Sequence, residues 1–283
     1  MKIGMNLLLW TSHVTPEHAP IFAKLKQTGF DGVEVPLFEG DDAHYKSVCR
    51  ELQRAGLACS TITVCSPDAS PVSPDAGERK RALDRLKWCL DMTAAVGGDV
   101  LCGPYTAPLG VFTGKEPGED EKQRAADVLR AGAEHAAKLN VRVAVEFLCR
   151  FETYMLNTAR DAAAMVKRVN HPNLGMLYDT FHANIEEKDP PAALAATGQH
   201  VIHFHISEND RGTPGTGHVQ WRETFAALRK INYDGWLTIE AFSRVLPELA
   251  AATRVWRDFF PTVDEVYTRG YPFIKKSWDE AGR

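Results

Sequence analysis

A chain of 283 residues, 44% hydrophobic and 25% charged, has the make-up of an ordinary globular protein and is long enough to bury one large core. Its 33 basic and 37 acidic residues give a slight acidic balance with no basic run, which excludes broad affinity for nucleic acid. The six cysteines are scattered, form no CxxC pair and read as reduced thiols, and no apolar stretch approaches a membrane span, so the cytoplasm is the expected location.

The chain starts with an apolar run over 3–10 that is too short for a signal peptide and lacks a cleavage site, which predicts a buried first strand. From there one unit repeats with variations: a short apolar or β-branched run, a polar loop, then a longer helical pattern. Further strands are predicted over 32–37, 58–64, 98–103, 141–147, 174–179, 200–206 and 236–241. The intervening stretches, such as AHYKSVCRELQRAG and QRAADVLRAGAEHAAKLN, carry apolar residues at three- and four-residue spacing. Gly29, Gly56 and Gly97 stop three of these helices.

Eight strands alternating with helices predict an α/β fold, a single (β/α)8 TIM barrel over about 1–260, with an open doubly wound sheet as the alternative. Residues 261–283 read as a helical tail whose aromatic side chains pack on the barrel or on a sister subunit. The loop-like stretches 65–77, 103–119 and 207–220 each follow a strand, the side on which a barrel builds its active site.

Four metal-capable side chains stand at the ends of strands five to eight: Glu146 in VRVAVEF, Asp179 in GMLYD, His205 in HVIHFHI and Glu240 in WLTIEAF. Each alone has an ordinary structural reading. Glu146 and Glu240 could be core carboxylates paired to a neighbouring Arg, Asp179 could cap the next helix, and His205, on the same strand face as His203, could be a hydrogen-bonded core histidine. Chance rarely gives all four the same relative place on successive strands. Three carboxylates and one imidazole suit Mn²⁺ first, with Co²⁺ or Mg²⁺ as alternatives, and leave an octahedral ion two positions for substrate oxygens.

The segments VEFLCRFE, DTFHANIEE, HFHISENDRGTPGTG and IEAF resemble the ketose 3-epimerases (D-tagatose, D-allulose and L-ribulose 3-epimerase) of the xylose-isomerase-like barrel superfamily. The resemblance implies that Glu146, Asp179, His205 and Glu240 ligate the metal, and that Glu146 and Glu240 are the two acid/base groups that invert carbon 3 of a ketose through an enediolate. It further implies that Glu152, His182 and Arg211 hold the sugar's oxygens, that Phe242 walls the substrate, and that the protein is a homodimer or homotetramer. Glu34, near the end of the second strand, is expected as a further polar contact, and Trp10, Tyr105 and Phe112 as mouth residues or loop packing. The first strand reads NLLLW where several relatives place an aromatic residue, so the distal end of the substrate is left open.

The glycine-rich GTPGTGH could cradle a phosphate. It also matches a loop of the epimerases, which take unphosphorylated sugars, so a free ketohexose or ketopentose is the expected substrate. Competing activities are an aldose–ketose or hydroxypyruvate-type isomerase and an inosose dehydratase-like lyase. An apurinic endonuclease would want more His ligands and a basic groove, and a non-catalytic sugar-binding protein would not need the complete ligand set.

Overall fold

Eight short runs of the chain pair in parallel, each with its sequence neighbours, and the last closes on the first. The computed structural model describes residues 1–282. Its strands are β1 (Lys2–Asn6), β2 (Gly32–Pro36), β3 (Ala58–Ile62), β4 (Gly98–Gly103), β5 (Arg142–Glu146), β6 (Leu174–Asp179), β7 (Val201–Ile206) and β8 (Trp236–Ile239). The helices are α1 (Ala19–Thr28), α2 (Asp42–Ala55), α3 (Ala76–Val96), α4 (Glu119–Lys138), α5 (Ala159–Val169), α6 (Thr180–Glu186), α7 (Pro190–Thr197), α8 (Trp221–Lys230), α9 (Pro247–Thr253) and α10 (Val263–Ala281). This is the (β/α)8 barrel, not the open sheet. Among the described residues, no helix is long and apolar enough to cross a membrane.

Gly29, Gly56 and Gly97 end α1, α2 and α3 in the left-handed region, where the absence of a Cβ lets the helix stop within one residue. The first strand is shorter than the 3–10 expected, and the cause is Asn6. Its side-chain Oδ1 accepts the Leu8 N–H at 2.8 Å and turns Leu7–Leu9 into one 3-10 turn, so the apolar run divides into strand and turn. The tail is a helix as expected, and α10 packs against α1, α8 and β1.

Register decides which side chains share a layer. Asn6 stands opposite Glu34, and Glu34 opposite Ser60, so three polar residues of β1, β2 and β3 lie at one height. Across the barrel Asp179 stands opposite His205. The strand ends that carry these residues are the ends that lead into the long loops, which places the polar layer at the mouth of an otherwise apolar core.

Candidate active site

Asp179 ends β6 and caps α6, its Oδ1 accepting the Phe181 N–H at 2.6 Å. The capping role expected of an isolated Asp is therefore real, yet it uses one oxygen only. The other, Oδ2, accepts from Arg211 Nη1 at 2.8 Å and lies 3.5 Å from His205 Nδ1. Glu240, one residue past β8, brings Oε1 to 3.5 Å from the same nitrogen and Oε2 against the Arg211 guanidinium. Glu146, at the end of β5, has Oε1 3.7 Å from His182 Nε2 and shares a cluster with Asp179 and His182. Asp179, His205 and Glu240 thus form one cluster, Glu146 joins Asp179 through a second one with His182, and all four strand-end residues are buried.

Burial alone would depress the His205 imidazole, but the carboxylates of Glu240 and Glu34 hold it well above its usual range. Its Nδ1 makes no hydrogen bond while facing two carboxylates. A positive charge is favoured at that point, supplied by a proton or by a cation among the oxygens. Burial, with Glu240 and Asp179 repelling and His205 partly offsetting, pushes the Glu146 carboxyl well above the carboxylate range. Asp179 is held well below that range, because Arg211 and the His205 contact overcome its burial. A donor set of three carboxylates and one imidazole fits a divalent cation of the Mn²⁺, Co²⁺ or Mg²⁺ kind better than a thiolate-seeking metal.

Arg211 is held in place by unusual means. Its backbone lies in the left-handed region at φ 64°, a conformation that costs a non-glycine residue about 1–2 kcal/mol. The Arg211 N–H donates to the Glu208 carbonyl at 3.0 Å, and its carbonyl accepts from Phe242 N at 3.1 Å, which fixes that conformation. The guanidinium then rests on the Phe181 ring at 3.9 Å, near Phe242 at 5.1 Å, and donates also to Ser207 Oγ at 2.8 Å. His182 Nδ1 accepts the Cys149 N–H at 3.0 Å, and its Nε2 lies 3.0 Å from Arg211 Nη2 and 3.7 Å from Glu146 Oε1. Burial and then Arg211 push the His182 pKa down to about 3, which keeps the ring neutral.

Glu146, Glu240, Glu152, His182, Arg211 and Phe242 line one cavity of ≈ 200 Å³, a size for a small ligand. Its far wall is apolar, with Leu8, Phe38, Ile62, Val64, Leu109 and Leu249. A larger groove of ≈ 730 Å³ lies outside the barrel between α5 and α7 and contains none of the converging groups.

Glu34, expected as a further polar contact, does not line the ≈ 200 Å³ cavity. It is fully buried beneath the site, and its oxygens accept hydrogen bonds: Oε1 from Asn6 Nδ2 at 3.0 Å and His205 Nε2 at 2.9 Å, Oε2 from Ser60 Oγ at 2.9 Å and Cys102 Sγ at 3.2 Å, with His203 Nε2 in contact 2.7 Å from Oε2. Tyr105 packs inside, its hydroxyl donating to the Ala82 carbonyl at 2.9 Å, and Trp10 packs against Tyr267, whereas Phe112 is exposed. Asn6, Ser60, Ser207 and Phe181 escaped the sequence reading. The only signal for Asn6 was a single amide inside the apolar run MKIGMNLLLW.

The glycine-rich loop holds a carboxylate of its own. Glu208 Oε2 accepts from Gly215 N at 2.8 Å and Trp221 Nε1 at 2.9 Å, and Oε1 from Asn209 N and Val219 N, both at 3.1 Å. Gly217 is required there, since a Cβ would stand 2.6 Å from Glu208 Oε1 and 2.0 Å from Asn209 Oδ1. The donors that a phosphate would need are taken.

Residues 22–259 match the family described as xylose isomerase-like TIM barrel. A ketose 3-epimerase of Arthrobacter globiformis is 32% identical over 97% of this chain and 96% of its own length. A probable ketose 3-epimerase of Synechocystis sp. is 30% identical over 98% and 97%. Among solved structures, D-allulose 3-epimerase from Methylomonas sp. in complex with D-allulose superposes with a TM-score of 0.91 at 28% identity, covering 98% of this chain and 97% of that one. With a family match over most of its length and ketose 3-epimerases at 30% identity or more along nearly the whole chain, it belongs to the xylose isomerase-like TIM barrel family and, within it, to the ketose 3-epimerases, enzymes of the isomerase class.

Proposed function

We propose that this protein inverts carbon 3 of a free ketohexose or ketopentose with the help of one divalent cation, Mn²⁺ first and Co²⁺ or Mg²⁺ otherwise. The observation that carries the reading is the cluster of Asp179, His205 and Glu240 at the mouth, with an unpartnered His205 Nδ1 facing two carboxylates and Glu146 beside Asp179 in an overlapping cluster. These four side chains would hold the cation, whose Lewis acidity would make the proton beside the ketone removable.

The carbon 3 proton passes to one of Glu146 and Glu240, and the electron pair moves onto the ketone oxygen to give an enediolate. The other residue returns a proton to the opposite face, and the centre inverts. Glu146 and Glu240 come from β5 and from the end of β8, with β6 and β7 between them, and both line the cavity, so they reach a sugar from different sides. Neutral His182 offers a polar contact to a sugar oxygen, Arg211 adds a fixed positive charge, and Glu152 accepts from hydroxyls. Phe242 covers the apolar edge of the ring or chain.

An aldose–ketose isomerase would pass through the 1,2-enediolate in place of the 2,3-enediolate and needs only one base, and the strand-end carboxylates Glu146 and Glu240 in one cavity favour the epimerase. The Methylomonas relative in complex with D-allulose supports a free sugar as substrate. The filled cradle around Glu208 supports an unphosphorylated one. The working unit on this reading is a cytoplasmic homodimer or homotetramer, each chain a single barrel domain with its helical tail, and the exposed Phe151 and Trp256 are apolar surface that a second copy could cover.

The test is product analysis with Mn²⁺-loaded protein and D-fructose, D-tagatose, L-ribulose or D-xylulose. A 3-epimer is expected from at least one of them. An aldose in its place moves the assignment to the isomerases, and a dehydrated product moves it to the lyases.

A further inference from the structure

We propose that Asn6 and Glu34 are a positioning pair beneath the site, holding the His205 imidazole and one oxygen of Glu240 toward a shared point before cation or sugar enters. The inference rests on the cation reading above and assigns work to two residues that touch neither cation nor sugar, since neither lines the cavity.

Asn6 is fully buried, and its amide can face only one way. Oδ1 accepts the Leu8 N–H at 2.8 Å, which turns the NH₂ group toward two carboxylates. Nδ2 donates to Glu34 Oε1 at 3.0 Å and to Glu240 Oε1 at 3.2 Å, one hydrogen to each. The amide therefore separates two buried like charges and ties them at a fixed spacing, where an apolar side chain would leave them facing each other in a low dielectric.

Glu34 passes that constraint to the imidazole. Its Oε1 accepts the His205 Nε2–H at 2.9 Å, so Nδ1 is the nitrogen left facing Asp179 and Glu240. Its Oε2 is anchored from the other side by Ser60 and Cys102, at 2.9 and 3.2 Å, so the carboxylate cannot swing away. The register that sets Asn6, Glu34 and Ser60 at one height makes this arrangement part of the barrel wall itself. Ring orientation and Glu240 orientation are thus set by one connected group instead of by the cation.

The experiment is calorimetric titration of metal-free protein with MnCl₂, comparing wild type with Asn6→Ala, Glu34→Gln and the double variant, with circular dichroism as the check on folding. Wild type is expected to bind one Mn²⁺. Each single variant is expected to bind it about 10- to 100-fold more weakly, and the double variant to lose less than the product of the two, because the pair acts as a unit. In the loaded enzyme, kcat should fall in both variants while KM for the ketose moves little. Should Glu34→Gln fail to fold, Asn6→Ser carries the test, since it removes the bridge while keeping a hydroxyl for the Leu8 N–H. Folded variants that bind Mn²⁺ within about 2-fold of wild type would overturn the pairing and leave the cation site standing. A wild-type protein that binds no Mn²⁺, Co²⁺ or Mg²⁺ would overturn both.

Discussion

Glu146 and Glu240 carry the proposed proton transfers, and their chemistry separates from their packing in a simple way. Replacing either by Gln keeps the shape and removes the base. Each variant is expected to lower turnover by roughly 10²- to 10⁴-fold with the barrel intact by circular dichroism, and Arg211→Ala to lower it by less. A Gln variant with full turnover would show that only one carboxylate, or neither, moves a proton. These residues were legible because an acid or a histidine at the end of an apolar strand is expensive to bury and so asks for a reason. Asn6 and Ser60 were not. A neutral polar residue inside a barrel strand reads as filler until register shows what stands beside it. Glu34 was noticed, but whether its carboxylate points up to a sugar or down to His205 is settled by its neighbours in the folded barrel, chiefly Ser60, Cys102 and the two histidines.

At the scale of the element, the loop from β7 to α8 shows how a sequence signal can be right about shape and silent about content. Its glycines do permit close approach, and Gly217 could hold no side chain. What approaches is Glu208, which accepts four N–H groups and carries no solvent exposure. The loop is also the element that holds Arg211 in its left-handed conformation, through the Glu208 carbonyl. Glu208→Ala should therefore destabilise the protein by at least ~3 kcal/mol, the worth of about two charge-assisted hydrogen bonds, read as a fall in the urea midpoint. Inorganic phosphate should not restore the loss. A variant with unchanged stability would mean that the loop is held by something other than this carboxylate. The strands were legible to within a few residues, and the one clear misjudgement, β1, came from the same kind of local competition: Asn6 offers the backbone a side-chain partner and ends the strand early.

For the molecule as a whole, alternation of strand and helix was enough to reach the barrel, because eight parallel strands joined by helices have few other ways to bury both faces. Closure of β8 on β1 then does what no single element can, bringing Asn6 from the first strand to Glu240 at the end of the last. The substrate's distal end was the least legible part, since its apolar wall is assembled from Leu8, Phe38, Ile62, Leu109 and Leu249, residues far apart in sequence and individually ordinary. The central claim is that two carboxylates exchange a proton at carbon 3 of a ketose, and it is most directly tested by NMR in D₂O. Mn²⁺-loaded protein would be incubated with D-fructose, D-tagatose, L-ribulose and D-xylulose while deuterium at carbon 3 is followed. The account predicts deuterium at carbon 3 together with the 3-epimer, both lost on chelation and regained with Mn²⁺. Deuterium confined to carbon 1, or no exchange with any of the four sugars, would contradict it.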